Sequence, residues 1–438
     1  MGADQLAAEV VDLCSRLIRI DTSNPPGNET PAAELVAEYL RGAGVECELD
    51  GPDPERLNLI ARIEGSGAGP SLMLMGHTDV VPAPDSGWSV PPFAAELRDG
   101  RLYGRGAADM KGELAARAVA LAAFAREGVQ PAGDLVLIAE SDEERNTADV
   151  GAPWLVRERP DLRCDFALNE GGGLLLELAG GRRVVTIAVG EKVVSSLRVR
   201  VFGRGGHASV PGRAEDNPLS HAARAIERLL AYQAPAHVPE GLAAALGTVG
   251  APEGGVEETF AWAAAAHPHL GDMVPAMCRN TVTPTGLGTY EPSNVIPPYA
   301  DVTCDVRVLP GGGEVEMRDH VEVALGDGFD YEVELLEPPS GGTISAADSD
   351  LYRLCAGFAA ERAGAELLPI VSPGFSDSHW VRDAFGTIAY GFAPVFHTGP
   401  DVYLKGIHAA DEALDVADLA EMVDLHLRAL RLVGATSR

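Results

Sequence analysis

The chain has 438 residues, 46% hydrophobic and 23% charged, enough to bury a core without staples; disorder, a collagen-like repeat and a small disulfide scaffold are excluded. Its 65 acidic against 34 basic residues leave a formal charge of −31, which repels phosphate backbones and anionic headgroups, so neither nucleic acid nor a membrane is an expected partner.

Leu6, Val10, Leu13 and Leu17 recur at helical spacing and predict an amphipathic first helix. Asp4, Glu9 and Asp12 interrupt the apolar stretch a signal peptide would need. A second helix is expected after Pro31, with Leu35, Val36 and Leu40 on one side. Short apolar runs at 57–63, 71–77, 134–140 and 166–170 predict strands buried on both faces. The Ala- and Leu-rich stretch 111–126 predicts a crossover helix. Together they point to an α/β fold, a mixed and mostly parallel central sheet with helices on both faces.

The pattern changes near residue 192. Leu197, Val199 and Val201 alternate with Arg198 and Arg200, a half-buried strand. A helix over 217–232 follows, its apolar stripe formed by Leu219, Ala223, Ile226 and Leu230. Strands near 280–289 and 299–308, a helix over 313–325 and a strand at 331–337 complete a smaller α+β unit with a four-stranded antiparallel sheet. The stretch 236–271 reads as an Ala- and Glu-rich insertion without assigned structure; its His267 and His269 read as surface loop, because no carboxylate stands at ligand spacing. Alternation resumes with a helix over 346–363, a strand at 367–371 and a last helix bearing Leu414, Leu419, Met422 and Leu425. The expected organisation is a catalytic domain in two parts, 1–192 and 339–438, interrupted by an inserted domain at 193–338. Six cysteines without a CxxC pair fit a reducing compartment, and no run of about 20 apolar residues is long enough to span a bilayer; the chain is expected to be cytoplasmic.

Ligands of open α/β sheets gather at the carboxyl ends of strands. His77 and Asp79 follow one apolar run, Glu143 and Glu144 another, and Glu170 a third; Asp109 precedes the Ala-rich helix and His408 the last one. Singly, each has an ordinary reading: a satisfied polar histidine, a helix cap, a solvated acidic turn. Collectively they crowd carboxylates where no Lys or Arg cluster accompanies them, which a divalent metal pair would resolve. Two imidazoles and three carboxylates suit Zn²⁺, with Co²⁺ or Mn²⁺ as substitutes.

His77-Thr78-Asp79, Asp109-Met110-Lys111-Gly112, Asp142-Glu143-Glu144, Asn169-Glu170-Gly171 and His408 resemble, in order, the co-catalytic zinc aminoacylase and carboxypeptidase family, with acetylornithine deacetylase and succinyl-diaminopimelate desuccinylase as relatives. Gly206-His207-Ala208-Ser209, Asn294-Val295-Ile296-Pro297 and Asp305-Val306-Arg307 extend the resemblance over nearly the whole chain. It implies two Zn²⁺ per subunit, bridged by Asp109, with His77 and Glu170 completing one site and Glu144 and His408 the other. It implies that Asp79 holds the second nitrogen of the His77 imidazole and orients it, and that a cis peptide follows Asp109. Glu143 would be the general base that takes a proton from the attacking water and returns it to the leaving nitrogen. His207 would donate to the oxyanion, Arg307 would clamp a substrate carboxylate and Asn294 would bind the same ligand. The expected activity is hydrolysis of an amide bond in a small peptide or N-acyl amino acid with a free carboxylate, in a possible homodimer through the inserted lid domain. The alternatives are an N-carbamoyl amino-acid amidohydrolase and a non-catalytic small-molecule binder that retains the fold.

Overall fold

The computed structural model describes residues 2–84, 86–289 and 292–434. Two compact units emerge: one is built from residues up to 189, 345–370 and from 376 onward, the other from 190–344 and 371–375.

The first unit holds a nine-stranded mixed sheet. Its order runs Glu46–Asp50, Asn58–Ile63, Leu135–Ala139, Leu72–Leu74, Phe166–Asn169, Ile388–Gly391, Arg183–Glu191 and Glu366–Ser372, with Leu175–Glu177 paired to Arg183–Glu191. The four central strands, from Leu135–Ala139 to Ile388–Gly391, run parallel, and their neighbours Asn58–Ile63 and Arg183–Glu191 are antiparallel to them. Val136, Ile138, Met73 and Ala167 on one face meet Leu155 and Val381 from the helices Ala152–Glu158 and Ser378–Phe385. The predicted crossover helix is Lys111–Arg126; it is buried on nearly every side, as a stretch with apolar residues all round requires, and packs against Ala3–Ile18 and Val416–Gly434. The parallel strands all end at one edge. Gly76-His77, Glu140–Asp142 and Glu170 follow directly there, with His77 bridged to Glu140.

The second unit carries an antiparallel sheet ordered Thr281–Thr289, Tyr299–Val308, Val193–Phe202 and Tyr331–Leu335, with the two-residue strand Ser340–Gly341 added to Val193–Phe202. Leu197, Val199 and Val201 face Val302, Cys304 and Val306 in a core closed by the helices Pro218–Ala231 and Glu314–Leu325. The expected apolar stripe of Pro218–Ala231 is not the face that is buried. Ala222, Ala225 and Leu229 lie against the sheet, whereas Leu219 and Leu230 are 41% and 65% exposed. The buried arc is displaced by about one residue, ~100° round the helix. Small alanines let the helix approach the sheet closely, and the bulkier leucines turn outward.

Residues 236–271 lie mostly in the helices Glu240–Thr248, Val256–Ala266 and Pro268–Met277. His267 does not sit in a loop but caps the last of these, accepting from the His269 amide (3.1 Å). Buried Lys192 ties that helix down by donating to the carbonyls of Ala276 (3.2 Å) and Arg279 (2.9 Å) and to Thr281 Oγ1 (3.2 Å). Among the described residues no helix is long and apolar enough to cross a membrane.

Candidate metal centre

At the carboxyl edge of the parallel strands His77 is fully buried. Its Nδ1 donates to the Asp79 carbonyl (3.0 Å) and lies 3.5 Å from Asp79 Oδ1. That leaves Nε2 facing Asp109 Oδ1 (3.1 Å) and Glu170 Oε2 (3.6 Å). On the other side of Asp109, His408 Nε2 lies 3.2 Å from Oδ2 and 3.1 Å from Glu144 Oε2. Glu143 Oε2 is 4.0 Å from His77 Nε2. Asp109 thus offers one oxygen to each imidazole, and the Asp109–Met110 peptide is cis.

The turn carrying Glu143 and Glu144 is held from beneath. Their amides donate to the two oxygens of buried Asp79 (3.2 Å each). Asn24 Nδ2 donates to Asp79 Oδ2 (2.9 Å) and to Asp142 Oδ1 (2.7 Å). Asp142 has a left-handed backbone (φ 67) and accepts from the amides of Thr147 (2.9 Å) and Ala148 (2.6 Å) and from Arg56 (2.9 Å). Arg56 also forks onto buried Glu29. Asp79 is legible in the sequence, but Asn24, Arg56 and Glu29 escape the sequence reading, as does Glu412. Asparagine and arginine at loop positions carry no periodic mark; for Glu412 the only signal is its place four residues after His408.

Burial and the neighbouring Glu170 carboxylate push the Glu143 carboxyl well above its ordinary range. Burial also raises Glu144, against its hydrogen bond to His408. Asp109 is held below its usual value despite burial, through His408 and His77, and hydrogen bonds to Asp109 and Glu144 push His408 up to about 10. Among the described residues no Lys or Arg pairs with Asp109, Glu143, Glu144 or Glu170. The raised carboxyls of Glu143 and Glu144 and the raised His408 mark a site short of positive charge.

The donors fit a metal pair. Ligand atoms of His77, Asp109 and Glu144 lie within 4.8 Å of one another, and so do those of His77, Glu143 and Glu170. Imidazole nitrogen with carboxylate oxygen is a donor mix that suits zinc and its first-row neighbours. A cleft of about 630 Å³ is lined by Asp21, Ser23, Pro82, Trp88, Pro91 and Phe93 among others. It adjoins Val81, whose amide donates to Glu144 Oε1 (3.3 Å).

The remaining predicted residues belong to the second unit. His207 is exposed on a short ribbon, Gly206–His207 paired with Val295–Ile296, and its Nδ1 meets Ser209 Oγ (2.7 Å). Asn294 stands at the ribbon's other side, its carbonyl accepting from the Ala208 amide (3.0 Å). Arg307, on Tyr299–Val308, is forked onto Asp305 (2.9 and 3.1 Å) and donates to the Pro373 carbonyl (2.7 Å).

Residues 73–432 match the model of the peptidase family M20/M25/M40. A succinyl-diaminopimelate desuccinylase of Rhodospirillum centenum is 28% identical over 448 residues, covering 99% of this chain and 100% of the relative. One of Delftia acidovorans is 38% identical over 231 residues, which span 51% of this chain and 58% of that relative. Among solved structures, the M20 family metallo-carboxypeptidase of Sulfolobus solfataricus superposes with a TM-score of 0.74 at 20% identity, over 97% of this chain and 99% of the other.

Proposed function

The chain belongs to peptidase family M20/M25/M40 and is a metal-dependent peptidase or amidohydrolase; from that footing we propose that it is a di-zinc enzyme cleaving an amide bond in a small peptide or N-acyl amino acid with a free carboxylate. The observation that carries the proposal is the meeting of His77, Asp109, Glu144, Glu170 and His408 around one shared carboxylate. In this reading Asp109 bridges, His77 and Glu170 complete one site, and Glu144 and His408 the other. Bound there, zinc would polarise the scissile carbonyl and acidify water.

Glu143 stands beside this set, mostly buried, with a carboxyl whose proton affinity burial has raised. Such a group takes the proton of the attacking water and gives it to the departing nitrogen. Asp79 orients His77 and anchors the Glu143-Glu144 turn through its amides. We assign His207 as donor to the developing oxyanion, Arg307 as the clamp for the substrate carboxylate and Asn294 as a further ligand contact. Arg307 supports its role with a guanidinium oriented by Asp305. The desuccinylase relatives support an acylated amino acid as substrate class. We also infer a homodimer through the second unit, supported by the outward Leu219 and Leu230 and by the edge strand Thr281–Thr289.

The test is a zinc-loaded screen over dipeptides, N-acyl and N-carbamoyl amino acids. Cleavage of the first or second class is expected, with Glu143→Gln losing at least 1,000-fold in kcat while retaining its ions. Cleavage confined to N-carbamoyl substrates would move the assignment to a carbamoylase. No cleavage of any class at full loading would leave a non-catalytic binder.

A further inference from the structure

Glu412 is completely buried, and its two oxygens are fully used. Oε2 accepts from Arg105 Nη1 (2.6 Å) and from the Gly106 amide (3.0 Å). Oε1 accepts from the amides of Ala108 (2.8 Å) and Asp109 (3.0 Å). Its own carbonyl accepts from the Gly104 amide (3.0 Å), so backbone and side chain both grip the segment that delivers Asp109. Four residues earlier in the same loop stands His408, with a left-handed backbone (φ 61), as has Asp411 (φ 59). Left-handed backbone is uncommon for non-glycine residues, and Asp and His are among those that adopt it most readily, here in a tight loop. The chain on one side of His408 is fixed by Glu412, which is fixed in turn to Asp109.

We propose that Glu412 is a positioning residue that locks Asp109 and His408 into one rigid piece and thereby sets affinity for the ion these two share with Glu144. The proposal rests on the metal assignment above. Glutamine cannot replace Glu412, because its NH₂ group would face N–H donors where an oxygen now accepts two bonds. A carboxylate that accepts backbone amides next to a ligand holds that ligand in place, and loss of such support typically costs about 10- to 100-fold in affinity.

Equilibrium dialysis of Glu412→Gln against buffered Zn²⁺ tests this. The expected result is both ions weakened, because Asp109 serves both, with the ion held by Glu144 and His408 losing the more, about 10- to 100-fold, and activity recovered at high Zn²⁺. The weakening is expected to be smaller when Glu412→Gln is made on a His408→Ala background, since one of the two linked ligands is already gone. Unchanged affinity for both ions, or activity that excess zinc leaves unrestored, would overturn the proposal. A second measurement needs no variant. In the metal-free parent protein the amides of Gly106, Ala108 and Asp109 should resist hydrogen exchange, because Glu412 and not the ions holds them; rapid exchange there would equally overturn it. A parent protein that binds no ion pair would instead defeat the metal assignment itself, which separates the two failures.

Discussion

Asp79 is no metal ligand in the proposed arrangement, yet it receives Asn24 and the amides of both Glu143 and Glu144, and its carbonyl receives His77. An isosteric amide would present hydrogens to one of the two backbone amides that now donate. Asp79→Asn is therefore expected to weaken Zn²⁺ binding by about 10- to 100-fold in a chelator competition while the far-ultraviolet dichroism stays that of the parent; unaltered binding would show that the carboxylate does not govern the ligands. At this scale the sequence disclosed the donors and hid their supports. His77, Asp109 and Glu170 are conspicuous because a charged group directly after an apolar strand, or before an apolar helix, needs a reason to be there. Asn24 and Glu412 work through hydrogen bonds to segments far off in the chain, and Asp142 joins its own turn to distant Asn24 and Arg56; such pairings leave no local pattern.

Among the elements, alternation and helical spacing were reliable where one face is clearly dry. The strand read near 195–203 is Val193–Phe202, and the helix read over 111–126 is Lys111–Arg126. Pro218–Ala231 misled because it carries two apolar arcs, and periodicity does not say which arc meets the sheet. His320 is buried on Glu314–Leu325; its Nε2 meets no partner among the described residues and its ring lies 5.2 Å from that of Tyr232. Burial, with Lys192 adding to it, pulls its pKa down to about 4. The unfolded chain takes up a proton near pH 6.5 and the folded one does not, so the contribution is whole above pH 6.5 and is lost as pH falls towards 4. The loss amounts to about 3 kcal/mol from the difference between those two values. Denaturant melts of His320→Phe should show a flatter acid limb across that window than the parent; identical limbs would remove His320 as the cause.

For the molecule as a whole, a charge of −31 sets two copies against each other, so any dimer must be held by apolar contact and should tighten as salt screens the repulsion. Replacing both Leu219 and Leu230 by Glu is expected to yield folded monomers by sedimentation velocity, with the far-ultraviolet dichroism of the parent, because neither side chain is in the core. A parent protein that is monomeric at micromolar concentration and physiological salt would sink the dimer.

The way the second unit is spliced into the first has a consequence for biogenesis. The Ser345 amide donates to the Val189 carbonyl (2.8 Å), so the chain leaves and rejoins the first unit at one spot. Nearly all of the second unit is a single uninterrupted stretch, whereas the first still awaits Glu366–Ser372, Ile388–Gly391 and Val416–Gly434 when residue 344 is made. During synthesis the later-encoded unit is thus the earlier one able to finish, and once folded it presents its flanks already side by side. The unit begun first is completed last, across a gap that its guest has shortened to the width of a hairpin.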